Sequence, residues 1–352
     1  MDMTAFPQLN TDFERTKEIA EALLQSKIAL YQSIKGGRNS RVYKLEMENG
    51  ENFVAKFYFS DKSDSRERLG VEFSSFQFLW EKGIRCIPQP LIKEHTNQCA
   101  IYEYISGKNF DGRLIATSDI DQLLDFFNRL QIIKKNVEPD QFPKASEACF
   151  SMEEIFDNIE RRKQKLENID NNDLRGFLKD EFNPFMRELS DWCKGQVLRQ
   201  KISFAESIPF DKRVLSPSDF GFHNAIKRGN EQIVFFDFEY FGWDDPAKTI
   251  SDFLLHPAMN LTEETKKHFL KRILPMCSDN HDFFQRLKIV YPLFGMKWCL
   301  IFLNEFLSLD LSRRLFANHQ IFEERLLKEQ LGKAKNMLQK MKDTYKEFPY
   351  AK

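Results

Sequence analysis

The spacing of apolar and polar positions changes twice along the chain. Over residues 12–25 apolar side chains recur at helical intervals, with Phe13, Ile19, Ala20, Leu23 and Leu24 on one face. Three short runs follow, 29–34, 41–48 and 52–59, joined by the turn-rich stretches GGRN and ENGEN, and these read as strands. A helix is expected over about 65–82, with Leu69, Phe73, Phe76, Leu79 and Trp80 on one side. Two further strands, 86–93 and 99–104, flank the polar turn EHTNQ. Beyond Ser106 and Gly107 the period turns helical, over 119–135, 152–167, 173–195 and 262–275, with long helices to the C-terminus. A hairpin-like interruption occupies 214–237. The pattern predicts an α+β chain in two lobes: 1–105 with five short strands, an N-terminal helix and one inserted helix, and 106–352, mainly helical with one embedded hairpin.

Composition narrows the function classes. A net charge of −1 with interspersed acids and bases provides no basic field, so nucleic acid is not an expected partner. The 35 phenylalanines are scattered along the chain, which points to aromatic core packing. Six cysteines stand far apart with no C-x-x-C pair, arguing against a thiolate zinc site or a disulfide framework and for a reducing, cytoplasmic setting. The acidic start of the chain does not read as a signal peptide. The apolar stretch 289–309 is interrupted by Pro292, Lys297, Asn304 and Glu305, so a buried helix is expected there and not a membrane span.

The segment 214–246, VLSPSDFGFHNAIKRGNEQIVFFDFEYFGWDDP, carries the strongest chemical signal. Asp219 precedes Asn224 by five residues, and Asp237 ends the apolar run IVFF after a short turn. Phosphoryl transfer needs a carboxylate to orient a hydroxyl and take its proton, plus oxygen ligands for Mg²⁺, and these three residues can supply both. Either Asp219 or Asn224 alone would read as a turn residue satisfying its own backbone. Lys56 lies inside the otherwise apolar strand FVAKFYF, where a charge is costly unless paired or bound to an anion; an edge position open to water is the alternative.

This segment resembles the aminoglycoside phosphotransferase and choline kinase group, whose motif is H-G-D-x-x-x-x-N, a strand, and I-D-[WF]-E. Here Pro217-Ser218-Asp219 leads to Asn224, and Phe236-Asp237-Phe238-Glu239 follows. The resemblance implies a two-lobed protein-kinase-like fold, with a five-stranded antiparallel sheet in the N-lobe and a mainly helical C-lobe. It makes Asp219 the catalytic base and Asn224 and Asp237 the metal ligands, with Glu239 as an added contact near the metal. Lys56 would hold the ATP phosphates, anchored by Glu72 or by Glu67. The loop 36–41, with Ser40, would lie at the phosphates, although an ordinary hairpin turn explains it equally well. Val42 and Val54 would cover adenine, and Glu103, Tyr104 and Ile105 would form the hinge. Lys297, Asn304 and Glu305, read as sharing one face of a C-terminal helix, are expected either to touch the acceptor or to pair internally.

Two departures stand out: Pro217 replaces the motif His, and Asp252 lies further from Asp245 and Pro246 than the group's corresponding Asp. The implied activity is ATP- and Mg²⁺-dependent transfer of the γ-phosphate to a hydroxyl of a small-molecule acceptor: a sugar, an amino alcohol or a related metabolite. An antibiotic kinase of the aminoglycoside type and a non-catalytic nucleotide-binding protein are the alternatives. H-R-D and A-P-E are missing from the sequence, against a protein kinase. The heptad-like stripe Leu327, Leu331, Ala334, Leu338, Met341 and Tyr345 suits packing on the C-lobe or the seam of a homodimer.

Overall fold

The computed structural model describes residues 6–34, 40–61, 66–110, 114–277, 281–317 and 323–350. The chain forms two compact units, Met1–Ser106 with Arg313–Gln320, and Gly107–Ser312 with Ile321–Lys352.

The first unit contains α1 (Phe6–Leu24), β1 (Ile28–Ile34), β2 (Ser40–Met47), β3 (Asn52–Tyr58), α2 (Arg68–Glu81), β4 (Pro90–Glu94) and β5 (Cys99–Glu103). Its five strands pair antiparallel in the order β1-β2-β3-β5-β4. Strand alternation splits β3 between two layers. Ala55 and Phe57 join a core with Ala20, Ile28, Tyr31, Tyr43, Leu45 and Ile101, against which Phe13, Ile19 and Leu23 of α1 pack. Lys56 and Tyr58 face the other way, toward α2, where the rings of Phe73 and Phe76 meet Tyr102 at 6.1 and 5.6 Å. The fourth strand starts at Pro90 and not at residue 86, because Pro88 and Pro90 have no amide hydrogen for a ladder; a bulge follows between Pro90 and Ile92.

Sequence patterning assigned all of 106–352 to one lobe, yet Arg313–Gln320 groups with the first unit. The cause is Phe316: its carbonyl accepts from Arg41 Nε at 3.0 Å, and its ring lies 4.0 Å from the Arg41 guanidinium and 5.6 Å from Phe59.

The second unit comprises β6 (Lys108–Asn109), α3 (Thr117–Lys134), α4 (Met152–Glu167), α5 (Asn172–Gly176), α6 (Asn183–Gln200), β7 (Val214–Ser216), β8 (Ala225–Lys227), β9 (Ile233–Phe235) and β10 (Gly242–Asp244). The remaining helices are α7 (Pro246–Leu255), α8 (Glu263–Cys277), α9 (His281–Phe302), α10 (Ser308–Ala317), which runs on into the first unit, and α11 (Glu323–Thr344). A π-turn, Phe177–Phe182, breaks the helix expected over 173–195. β6, β8 and β9 form one small antiparallel sheet, and β7 and β10 form another.

The apolar helix α9 is the one described helix long and apolar enough to cross a membrane, and 83% of its apolar window is buried in the protein. α11 covers part of it: Leu331, Ala334, Leu338, Met341 and Tyr345 are buried, and a Cβ on Gly295 of α9 would run into the Met341 sulfur. The heptad-like stripe is therefore taken up within the chain. All six cysteines are free thiols.

Candidate active site

In the first unit the isolated lysine is buried and paired. Lys56 Nζ donates to Glu72 Oε2 at 2.6 Å, Tyr58 Oη donates to the same oxygen at 2.6 Å, and the Tyr58 and Tyr102 hydroxyls meet at 2.7 Å. Burial, and then the Glu72 charge, push the Tyr58 pKa well up, so the phenol remains a donor. Glu72 thus fills the place that the sequence left between it and Glu67. Glu67 instead sits at the N-cap of α2.

Cross-strand pairing sets the neighbours of this lysine. Val42 is opposite Lys56, and Val54, two residues along β3, is opposite Tyr102, so both valines share the lysine's face of the sheet. Ser40 is buried opposite Tyr58, and the preceding residues 36–39 lie outside the described residues. Glu103 ends β5, its carboxylate accepting from the Gln89 amide at 3.2 Å; the Tyr104 ring lies 4.9 Å from the Lys44 ammonium, and Ile105 is buried.

In the second unit two aromatic rings anchor the loop after β7. Phe220 packs on Phe126, Phe127 and Phe235, and Phe222 on Phe110 and Phe253, while Asp219, just before Phe220, is half-exposed. Two buried rings thus pin the loop where the motif His is missing. Ser218 adopts φ 69°, costly for a residue with a Cβ. Three bonds hold it there: its N–H to Ser216 Oγ (3.0 Å), its Oγ to Ser146 O (2.9 Å), and Lys248 Nζ to its Oγ (3.0 Å).

Lys248 is itself buried between Asp244 (2.8 Å) and Asp252 (3.3 Å). Burial alone would lower its pKa, but the two carboxylates outweigh it and hold the ammonium charged. Next to it, Asp245 caps α7 through the Ala247 amide (2.8 Å) and is gripped by both Arg286 terminal nitrogens at 3.0 and 2.6 Å.

Asp219 Oδ1 meets His223 Nε2 at 3.0 Å and His256 Nε2 at 3.5 Å, and those rings stack at 3.8 Å with 8° between their planes. Asn224 Nδ2 donates to the Asp219 carbonyl at 3.0 Å and lies 3.4 Å from Asp219 Oδ2. The β8–β9 ladder continues with the Phe236 amide on the Asn224 carbonyl at 3.0 Å. Asn224 and Asp237 therefore lie at the same end of that ladder, with Asp237 in the left-handed region at φ 66°. Two oxygen-bearing side chains brought together by backbone pairing fit a hard, oxygen-seeking dication. Glu239, two residues on, is buried.

Of the expected acceptor residues, Lys297 lies on α9, which stops at Phe302, and Asn304 and Glu305 lie in the 3₁₀ turn Leu303–Phe306 that follows it. Lys297 is buried, 4.0 Å from an Asp252 oxygen, and Glu305 is also buried. Asn304 Oδ1 accepts from Arg162 (3.3 Å), which pairs with Glu147 at 2.7 Å. Burial would raise the Glu147 pKa, but Arg162, Lys297 and the Asn158 amide hold the carboxyl well below the usual range.

Patterning missed Ser218, His223, Lys248 and His256, all of which surround the loop. Two signals were available. D-D-P before an apolar run announces an N-cap and a Pro at the first helical position, and hence α7. Asp244, Lys248 and Asp252 at intervals of four form a charge ladder along it.

No protein-family model matches the sequence, and no curated protein matches it. Solved structures do match its fold. A spectinomycin phosphotransferase in complex with ADP and spectinomycin superposes with a TM-score of 0.58 at 16% identity, covering 93% of this chain and 98% of its own. The choline kinase of Streptococcus pneumoniae gives 0.57 at 16%, over 93% and 98%. The ethanolamine kinase of Plasmodium vivax gives 0.54 at 18%, over 89% and 83%. The chain thus has the protein-kinase-like fold of the group its sequence resembles.

Proposed function

We propose that the chain is an ATP- and Mg²⁺-dependent small-molecule kinase that phosphorylates an acceptor hydroxyl, on a sugar, an amino alcohol or a related metabolite. The observation that carries this reading is the fully held loop: Asp219, Asn224 and Asp237 sit on short elements locked by buried aromatics and by Lys248. A chain that merely bound nucleotide would not need a half-exposed Asp219 carboxylate held in place by hydrogen bonds. Lys56, anchored by Glu72, is assigned to the ATP phosphates; Val42, Val54, Glu103, Tyr104 and Ile105 to the adenine; and Asn224 and Asp237 to the metal.

Bound with ATP, Mg²⁺ would supply charge neutralisation at the transferring phosphoryl group. Asp219 then orients the acceptor hydroxyl and takes its proton. Mixed charge around Lys297, Arg162, Glu147 and Asp252 supports a polar metabolite over a polycationic drug. Six free thiols support a cytoplasmic setting.

Asp219→Asn tests the reading. Its Mg·ATP affinity should stay near that of the unmodified protein, while ADP release, with water or with an acceptor, falls by about 10²–10⁴-fold. Calorimetry and a coupled ADP assay across a panel of hydroxyl compounds measure the two. Equal ADP release from both proteins leaves a nucleotide-binding protein in place of the kinase.

A further inference from the structure

Two histidines that no motif assigns surround the proposed base. His223 lies in the 3₁₀ turn Phe222–Asn224 and His256 at the C-cap of α7, 33 residues apart in sequence, yet both aim Nε2 at Asp219 Oδ1. The question is whether these nitrogens carry protons. For His256 the backbone answers it: the Ala258 amide donates to Nδ1 at 3.2 Å, so Nδ1 is the acceptor and the proton of the neutral ring is on Nε2. The carboxylate, Asp219 included, with two imidazoles is also compact enough to attract a metal ion, all donor atoms lying within 4.8 Å of one another. A protonated Nε2 on His256 offers no lone pair, however, and the set works as two donors on one oxygen.

The rings are held firmly. They stack on each other, and His256 meets the edge of Trp298 at 5.0 Å and 89°. The Trp298 indole donates to Asp252 Oδ1 at 2.8 Å, and Asp252 pairs with Lys248. The placement of His256 thus derives from the same buried ammonium that holds Ser218.

We infer that His223 and His256 are positioning residues for Asp219: their Nε2–H groups fix Oδ1 and with it the orientation of the carboxylate. This inference rests on the kinase reading for its consequence and on geometry for its content. The pair performs locally what the motif His, replaced by Pro217, cannot do. One donor approaches from within the loop and the other from α7, so the carboxylate plane is set from two directions.

The test pairs a shape-preserving variant with a donor-preserving one at each position. His256→Phe and His223→Phe keep a ring for stacking but lose the donor, and should lower ADP release about 10–100-fold with unchanged Mg·ATP affinity, the scale of a misplaced reacting group. His256→Gln and His223→Gln, which retain a side-chain N–H near the Nε2 position, should recover most of that loss. A purely structural role predicts that Gln does no better than Phe, which overturns the inference. A second measurement needs neither activity nor histidine variants. In ¹⁵N spectra of the unmodified protein, two histidine rings should show the Nε2–H tautomer, with Nε2 protons that shift in Asp219→Asn. If these rings are Nδ1-protonated or ignore Asp219→Asn, the inference falls even if the protein proves to be a kinase. If the spectra behave as stated and no ADP is released, the fault lies with the kinase reading.

Discussion

Both units bury a lysine ammonium, Lys56 in the first and Lys248 in the second, and these two are used in opposite ways. Lys56 stands on a regular strand, opposite a regular helix, and shares Glu72 with a tyrosine. Lys248 stands beneath an irregular loop and directs its three donors to Asp244, Asp252 and Ser218, the full capacity of an ammonium. The first charge is supported by secondary structure. The second supports a backbone that secondary structure would not produce, with Ser218 held at positive φ. On the proposed function a buried charge thus serves chemistry in one unit and architecture in the other, and burial alone does not distinguish them.

The comparison breaks most visibly at Lys248. Lys248→Met keeps the volume but leaves Asp244 buried and Asp252 half-buried with no ammonium between them, and removing one partner of such a pair costs about 3–5 kcal/mol. Urea denaturation of the variant should show that loss, with the loop's activity lost in the fraction that stays folded. An unchanged midpoint would mean that the loop holds itself.

Lys56→Met should cost less, about 1.5–3 kcal/mol, the worth of a hydrogen bond to a charged group, because Tyr58 still donates to Glu72. Its larger effect should be on ligand binding: weaker Mg·ATP with little change for adenosine, both read by calorimetry. Equal weakening of both ligands would move Lys56 from the chemical to the architectural class.

The smallest effect concerns Glu147, held below the usual carboxylate range with about a third of its side chain exposed. A depressed folded pKa contributes stability above the unfolded value, about 4.3, that is lost as pH falls through that value toward the folded one. Glu147→Gln should therefore lower stability in the neutral region, leave the acid end nearly unchanged, and so flatten the acid limb of a stability–pH curve. A parallel acid limb in the variant would assign acid sensitivity elsewhere.

The sequence made the elements of the first unit legible because amphipathic periods of 3.6 and 2 dominate there, and a lysine among six apolar residues announces its own cost. The loop residues Asp219, Asn224 and Asp237 were legible by spacing. What held them was not, because Lys248 meets Ser218 across 30 residues and His256 meets Asp219 across 37, distances at which no local period operates. The end of α9 was illegible for a related reason: the apolar run continues past Phe302, where the winding tightens into a 3₁₀ turn.

Phe316 has a further consequence, for the order in which the chain is made. The first unit is completed by residues that leave the ribosome roughly two hundred positions after its last strand. At about 5–20 residues per second that is a delay of roughly 10–40 s. During this interval Arg41 and Phe59 have no Phe316 to pack against. A fragment ending near residue 106 would remain in that incomplete state permanently, and an excised N-terminal piece should bind nucleotide and resist proteolysis less well than the same residues in the full chain.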